Sequence, residues 1–462
     1  MEQIQGFPKN LAYNLKRLQG SIIKQKIIVA SDKTLYTANE RIMFNFPVGR
    51  MIDSRSISLT AKCTTKTAGN RFPRGGLNSL IENLQISANS RIIQSTQNYN
   101  YIWNIIADTS GYFSPEQQGK RAYEHFDPSI AHTNVQGEGT PVLSLTTNIN
   151  TGTDSYWFCV NTFLGFINSS ASVWDTNNLG QLQLIITLAP QTCLWLGANG
   201  TTTATNGNYD VENVELSMDT ITFTNSLYYD LIKAQLEGGG LNIAYNDYLV
   251  SVGTKQPKST SGITHTAQFA TNSLDSVIAT FRHLNYNTAE RLLLGATSTA
   301  NTASAKSYGG ILADLTTAAS VGNNGLFNNS RYFQRCGGGI DGSSWYINSQ
   351  PFTFNSRPVQ IYQNVLNCFD YAGLDIGSGG FHQGALTTGF YNSHYFIDCL
   401  SLENLSGDNN NWVSGLGGNG GIIQVQYTAR FLTLTDDIYP IIIGKVSKIM
   451  NIKIGRNIDI ME

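Results

Sequence analysis

The sequence predicts an all-β chain of two tandem strand-rich units with short helices and long loop insertions. Three observations predict it. First, the helix formers Ala, Glu and Lys are sparse while Thr, Ile, Tyr, Phe and Gly abound, a mixture that favours short strands joined by turns. Second, apolar residues alternate with polar ones in many short runs, as half-buried strands require. Third, NSRIIQSTQN at 89–98 returns as NSRPVQIYQN at 355–364, with six of ten positions identical.

The 462 residues suit two domains of about 200 residues each. Charged residues are 13% of the chain, against about 25% in average proteins, so Asn, Ser, Thr, Gln and Gly must coat the surface. The net charge of −2 provides no global basic face for nucleic acid. No apolar run approaches the roughly 18 residues of a spanning helix. MEQIQGFPKN has neither the basic nor the apolar region of a secretory leader, so none is expected. The six cysteines lie far apart in sequence and read as reduced thiols of a cytosol-like compartment.

Residues 1–26 are locally basic, with Lys9, Lys16, Arg17, Lys24 and Lys26 against Glu2. Leu11, Leu15 and Leu18 after Asn10 have helical spacing. This segment reads as a basic arm, or as a helix docked on the body. The first unit spans 27–224. In it, Tyr99, Ile102, Trp103 and Ile106 predict a helix, and SPEQQGKRAYEHF at 114–126 starts like another, with Pro115 at its first position. In VENVELSMDTITF the inward phase Val214, Leu216, Met218 slips to Ile221 and Phe223, which predicts a β-bulge. NSLYYDLIKAQLEGGG predicts a linker helix over 225–240, ended by its glycines. The second unit is placed at 241–444, with an insertion loop over about 284–344, and a tail at 445–462. In that tail IKIGRNIDI suits a hairpin, turning at Gly-Arg-Asn with Lys453 facing Asp459, or an extension onto a neighbour.

The repeated motif has matched flanks: a strand before it and a helical period after it in both units. Duplication would place Asn89, Arg91 and Gln94 where Asn355, Arg357 and Gln360 lie in the second unit. The Asn-Ser pair would form the turn, and each arginine would donate to carbonyls or a carboxylate. Ile93, Tyr99 and Trp103 would point into one core and Val359, Val365 and Phe369 into the other. The competing reading is an accident of a chain rich in Asn and Ser. A fainter echo pairs Ile52-Asp53-Ser54 with Leu274-Asp275-Ser276.

No catalytic, cofactor-binding or metal-binding constellation is found. GLGGNG at 415–420 precedes an alternating strand, whereas a dinucleotide loop opens a helix. The six histidines form no HxH, HExxH or zinc spacing. Glu403, Asp436 and Asp437 could serve glycoside hydrolysis only as a pair placed across a cleft, and loop carboxylates are usually just solvated.

VENVELSMDTITF running into SLYYDLIKA resembles the last strand of one jelly roll entering an inter-domain helix. THTAQFATNSLDSVIATFRH resembles the opening strands of a second jelly roll, and GGIIQVQYTARFL its closing strand. In order of elements the chain resembles the double jelly-roll major capsid proteins of adenoviruses, tectiviruses, virophages, polinton-like viruses and large DNA viruses. The resemblance implies two tandem eight-stranded jelly-roll β-sandwiches. It also implies a non-enzymatic homotrimer, a pseudo-hexameric capsomer whose neighbours tile an icosahedral shell. Its further implied partners are minor capsid or penton proteins and an internal membrane, with no sequence-specific nucleic acid. The location implied is the virion capsid, after folding in the host cytoplasm or viral factory, with the basic arm facing the interior. The rival reading is a two-domain β-sandwich adhesin, a glycan-binding spike or fibre protein using Trp345, Tyr346, Tyr391 and Trp412; the plainer role of these aromatics is core or interface packing.

Overall fold

The computed structural model describes residues 22–66, 72–73, 75–109, 155–194, 208–223, 227–258, 260–284, 286, 331–333, 335, 340–352, 357–358, 396–402, 415–417, 421–431 and 437–461. The strands of the first half are β1 (Ile22–Ala30), β2 (Leu35–Thr37), β3 (Arg41–Asn45), β4 (Met51–Thr65), β5 (Ile81–Ala88), β6 (Arg91–Thr96), β7 (Ser155–Val160), β8 (Val173–Asp175), β9 (Leu182–Leu188) and β10 (Tyr209–Phe223). Helix α1 (Tyr99–Thr109) follows β6, and the single turns α2 (Phe166–Ser169) and α3 (Thr176–Leu179) flank β8. Helix α4 (Leu227–Glu237) leads to the second half. Its strands are β11 (Leu241–Val252), β12 (Gly262–Ala270), β13 (Leu274–His283), β14 (Ile340–Ile347), β15 (Gln350–Pro351), β16 (Arg357–Pro358), β17 (Asp398–Ser401), β18 (Ile422–Phe431), β19 (Ile438–Lys453) and β20 (Asn457–Met461).

Each half is a sandwich of two antiparallel sheets. The first has orders β1-β10-β4-β7 and β3-β9-β5-β6; the second has β11-β19-β13-β17 and β12-β18-β14-β15. Setting aside the short β2, β8 and β16 and the added β20, both halves place their first, eighth, third and sixth strands in one sheet. Their second, seventh, fourth and fifth strands form the other. That order is a jelly roll, and finding it twice establishes the tandem architecture. Alternation explains the strands: Ile423, Val425, Tyr427, Ala429 and Phe431 of β18 are all buried. The predicted helical spacing gives α1, whose Tyr99, Ile102 and Trp103 are buried as well.

Several sequence-based expectations are corrected. GGIIQVQYTARFL is the seventh strand of its sandwich, and β19 closes the sheet by running between β11 and β13. The boundary at 444 therefore cuts β19, and 445–462 is no tail. Alternation pointed to β18 because one of its faces meets water; β19 is buried on both faces near Ile441–Ile443 and reads as a continuous apolar run. At the other end, Lys24 and Lys26 belong to β1, paired with β10, so the basic arm ends earlier than 26. Charged residues on an edge strand are a common guard against unwanted pairing. Lys24 Nζ lies 3.1 Å from Asp53 and 2.9 Å from Asp219. It thereby bridges two carboxylates that face each other across β4 and β10. Lys9, Lys16, Arg17, Asn355, Gln360, Val359, Val365, Phe369 and the segment 114–126 lie outside the described residues.

The phase slip expected in β10 does not occur: Val214, Leu216, Met218 and Thr220 all stay inward, and the register shift between Ser217 and Asp219 is a bulge of the partner strand β4. The surplus residues sit on β4, where Ser58 to Asp53 oppose Ser217 to Asp219. Ser56 fills the gap: its Oγ accepts from Asp219 N at 2.8 Å and donates to Asp53 O at 2.7 Å. Thr220 thus stays inward behind Met218, and Ile221 takes a half-buried place. The expected C-terminal hairpin forms. Its loop is Ile454–Arg456, with φ of 80° at Gly455 and 63° at Arg456, and Lys453 Nζ reaches Asp459 Oδ2 at 2.6 Å.

Ending the chain at residue 444 removes half of a central strand and exposes the edges of β11 and β13. Such a chain is expected to lose its cooperative thermal transition and to aggregate, as differential scanning calorimetry and light scattering would read.

Candidate functional site: the seam between the sandwiches

The site that distinguishes this chain from two strung sandwiches is the seam that joins them. β13 is buried at every position. Its Val277, Ala279 and Phe281 fill the core of the second sandwich together with Ile442 and Val446 of β19. Ile278, Ile441 and Ile443 face the other way. With Tyr245 of β11 and Cys399 of β17 they join one apolar cluster with Tyr99, Tyr101 and Trp103 of α1 and Phe166 of α2. Phe166 meets Tyr245 edge-on, with ring centroids 5.1 Å apart. Full burial of each such aliphatic side chain stabilises by about 1.5–3 kcal/mol, so the seam is as well driven as a domain core.

The stretch 89–98 supplies the first sandwich's polar half of this seam. Asn89 and Ser90 form the β5–β6 turn at φ of 47° and 68°, a conformation that Asn tolerates. Asn89 Nδ2 donates to Leu179 O at 3.1 Å and to Arg456 O at 3.3 Å. Arg91 Nη1 donates to Ile458 O and, at 3.3 Å, to Asp459 Oδ1. Both residues thereby hold the C-terminal hairpin of the second sandwich. Tyr245 OH donates to Ile93 O at 2.8 Å. The buried Gln94 amide donates to Thr96 Oγ1 at 2.7 Å and to Leu164 O at 3.2 Å, and accepts from Phe166 N at 2.7 Å. Gly165, at φ 82°, packs so close to Gln94 that any Cβ there would collide with its amide. Thr96 Oγ1 passes the chain on to Asp247 Oδ1 at 3.2 Å.

A buried ion pair and a buried arginine complete the seam. Asp247 lies 3.3 Å from Lys448 Nζ, both almost without solvent contact. Burial pushes the Asp247 carboxyl above its ordinary value; the Lys448 charge and the Tyr248 N–H oppose that push. Arg282 of β13 is enclosed by the rings of Tyr286, Tyr332 and Tyr101, at 3.8, 4.3 and 4.6 Å. Its Nε donates to Tyr332 O at 3.2 Å and its Nη1 to Asn98 Oδ1 at 3.2 Å. Tyr332 OH donates to Glu82, which also accepts from Asn100 Nδ2 at 3.1 Å. Burial disfavours the Arg282 cation, yet Tyr332, Tyr101 and Glu82 hold its pKa above the ordinary value.

The second copy of the motif does not repeat this arrangement. The turn equivalent to Asn89–Ser90 is Asn348–Ser349, at φ of 50° and 65°, between β14 and β15. Arg91 stands in register opposite Ala88 at its turn, whereas Arg357 stands opposite Ser343, well down the ladder. The two arginines occupy opposite ends of equivalent strands, so their alignment was compositional. The fainter echo is positional: Asp53 and Asp275 both lie near the start of the third strand, against the closing strand. Sequence reasoning missed Tyr245, Asp247, Arg282 and Lys448. The signal for Arg282 was a lone cation in the apolar run of β13.

Burial holds the Cys63 and Cys193 thiols protonated, and Cys63, Cys159, Cys193 and Cys399 are free. Among the described residues no three His, Cys, Asp or Glu side chains converge to hold a metal ion, and no helix is long and apolar enough to cross a membrane.

No family model and no curated protein sequence matches this chain. Solved structures do. A quasi-atomic model of the PBCV-1 virus capsid matches with TM-score 0.58 at 12% identity, over 96% of this chain and 97% of the other. The Sputnik virophage structure from cryo-EM matches with TM-score 0.53 at 12% identity, over 95% and 88%. The Faustovirus major capsid protein matches with TM-score 0.51 at 12% identity, over 94% and 91%.

Lys448→Met is expected to destabilise the protein by about 3–5 kcal/mol, because it strands Asp247 in an apolar seam. The double variant Asp247→Leu/Lys448→Met should recover most of that loss in urea titrations. A second expectation concerns acid. Lys453, then Arg91, hold the Asp459 carboxyl below its ordinary value. The hairpin contact is therefore present above the usual carboxylate range and lost as pH falls through that lowered value. Hydrogen exchange at β20 amides should rise there before global unfolding.

Proposed function

We propose that this double jelly-roll chain is a viral major capsid protein, a homotrimer whose six similar sandwiches tile an icosahedral shell. The observation that carries the reading is the nearly end-to-end correspondence of both sandwiches and their order with the PBCV-1, Sputnik and Faustovirus capsid structures. Two further features support it. The seam locks two like sandwiches into one body, so three chains offer six comparable lobes under a cyclic symmetry that is ordinary for oligomers. The charge-poor surface, with 13% charged residues, suits extensive protein–protein contact better than a grip on the genome. The role is structural, with no reaction assigned.

The adhesin reading loses its described aromatics. Trp345 is fully buried against Tyr427, at 4.6 Å between ring centroids, and Tyr346 is half-buried. Tyr391 and Trp412 lie outside the described residues. The capsid reading assigns Lys9, Lys16 and Arg17 to an interior-facing arm that meets an anionic membrane, the genome or a minor capsid protein.

Multi-angle light scattering should give the mass of a trimer at micromolar concentration, with an interface well above the roughly 2,000 Å² where obligate contacts begin. A stable monomer would refute the reading. A chain lacking residues 1–20 should form the same trimer and lose only particle assembly; failure to fold would instead make the arm part of the body.

A further inference from the structure

One face of the jelly roll has two different fates in this chain. On the second sandwich, the outer face of β11-β19-β13-β17 is covered from within by β6, α1 and α2 of the first. On the first sandwich, the equivalent outer face of β1-β10-β4-β7 is open among the described residues, with Ile28, Leu35 and Trp157 exposed. The outward residues differ accordingly. Ile278 stands opposite Cys399 in the covered face, and Thr60 stands opposite Cys159 in the open one. One row of the open face runs straight across four strands as Leu35, Glu212, Lys62 and Trp157. Lys62 Nζ and Glu212 Oε2 pair at 3.5 Å in its middle. The apolar ends of the row are bare: Trp157 is 53% and Leu35 45% exposed.

The seam is head-to-tail: a β6 edge of one sandwich meets an outer sheet face of the other. A heterologous contact between like units repeats, and it closes into a ring when its rotation allows. Within one chain it is used once. Among the described residues that leaves one unused face, on the first sandwich, and one unused edge, on the second. The edge equivalent to β6 is β15, with the Asn348–Ser349 turn and Phe352, which is 46% exposed. We propose that the outer β1-β10-β4-β7 face receives the β15 edge of a second copy of this chain, with Trp157 as the anchor. The inference rests on the trimer proposed above and names its contact. The composition fits: a face that waits in water before assembly is polar around a large aromatic anchor, whereas one buried on folding is apolar.

The test is photocrosslinking from position 157 in the full chain, with Trp157→p-benzoylphenylalanine. An inter-chain adduct mapping to residues 340–358 is expected. An adduct on the first sandwich, or a trimer giving no inter-chain adduct, overturns the inference and leaves the trimer standing. Trp157→Asp should weaken trimer formation by at least about thirtyfold while keeping the wild-type melting transition; unchanged trimer affinity overturns the inference. Cys159 gives a readout without any variant. Its maleimide labelling, followed by peptide mass spectrometry, should be slow in the wild-type trimer and fast once dilution separates the chains. Equal rates overturn the inference, and a wild-type chain that is monomeric throughout overturns the trimer with it.

Discussion

Everything else in the molecule depends on the two-sided burial of β13 and β19. A strand in an ordinary sandwich satisfies one core and shows water its other face. Here Val277, Phe281 and Ile442 close the second sandwich while Ile278, Ile441 and Ile443 close the seam. The consequence is cooperativity. A substitution in β13 or β19 reaches both cores, since a shift that relieves one face displaces the other in a close-packed interior.

Burying that face obliges the polar groups around it to find partners, because each one left alone costs about 1–3 kcal/mol. The stretch 89–98 meets the obligation by alternation: Asn89, Arg91 and the Ile93 carbonyl reach across the seam, and after Gln94 so do Thr96 and Asn98. Gln94 turns instead toward the 164–166 loop and ties the chain before α2 to β6. Arg282 shows the same logic for a charge. Three tyrosine faces replace part of its hydration, an arrangement worth about 2 kcal/mol when desolvated.

Local pattern revealed the elements and hid their ranks. The alternation of β18 marked a strand because one of its faces meets water. The spacing of Tyr99, Ile102 and Trp103 marked α1 because polar residues, Asn100 and Asn104, interrupt the apolar run, although these are buried as well. Nothing local said that β18 is seventh and β19 eighth, since rank is set by pairing across distant sequence. Composition misled at two places. Asn-Ser pairs recur because positive φ at a turn favours such residues, so Asn355 matched Asn89 by letter while Asn348 matched it by position. Lysines in β1 read as a soluble arm because an edge strand is charged for its own reason. Asp247 and Lys448 were illegible: neither residue's neighbours announce a partner in another strand far along the chain.

The placement of β19 also orders events in time. The strand lies between β11 and β13, yet it is the last of the eight strands of its sandwich to be synthesised. β10 holds the corresponding central place in the first sandwich, but it leaves the ribosome before any strand of the second. The first jelly roll can therefore close during translation, as domains commonly do. The second must hold β11 and β13 apart, with unpaired edges and an apolar outer face, until β19 arrives. That interval is where this polypeptide most needs a chaperone, and where premature termination yields an aggregating fragment instead of a smaller working protein.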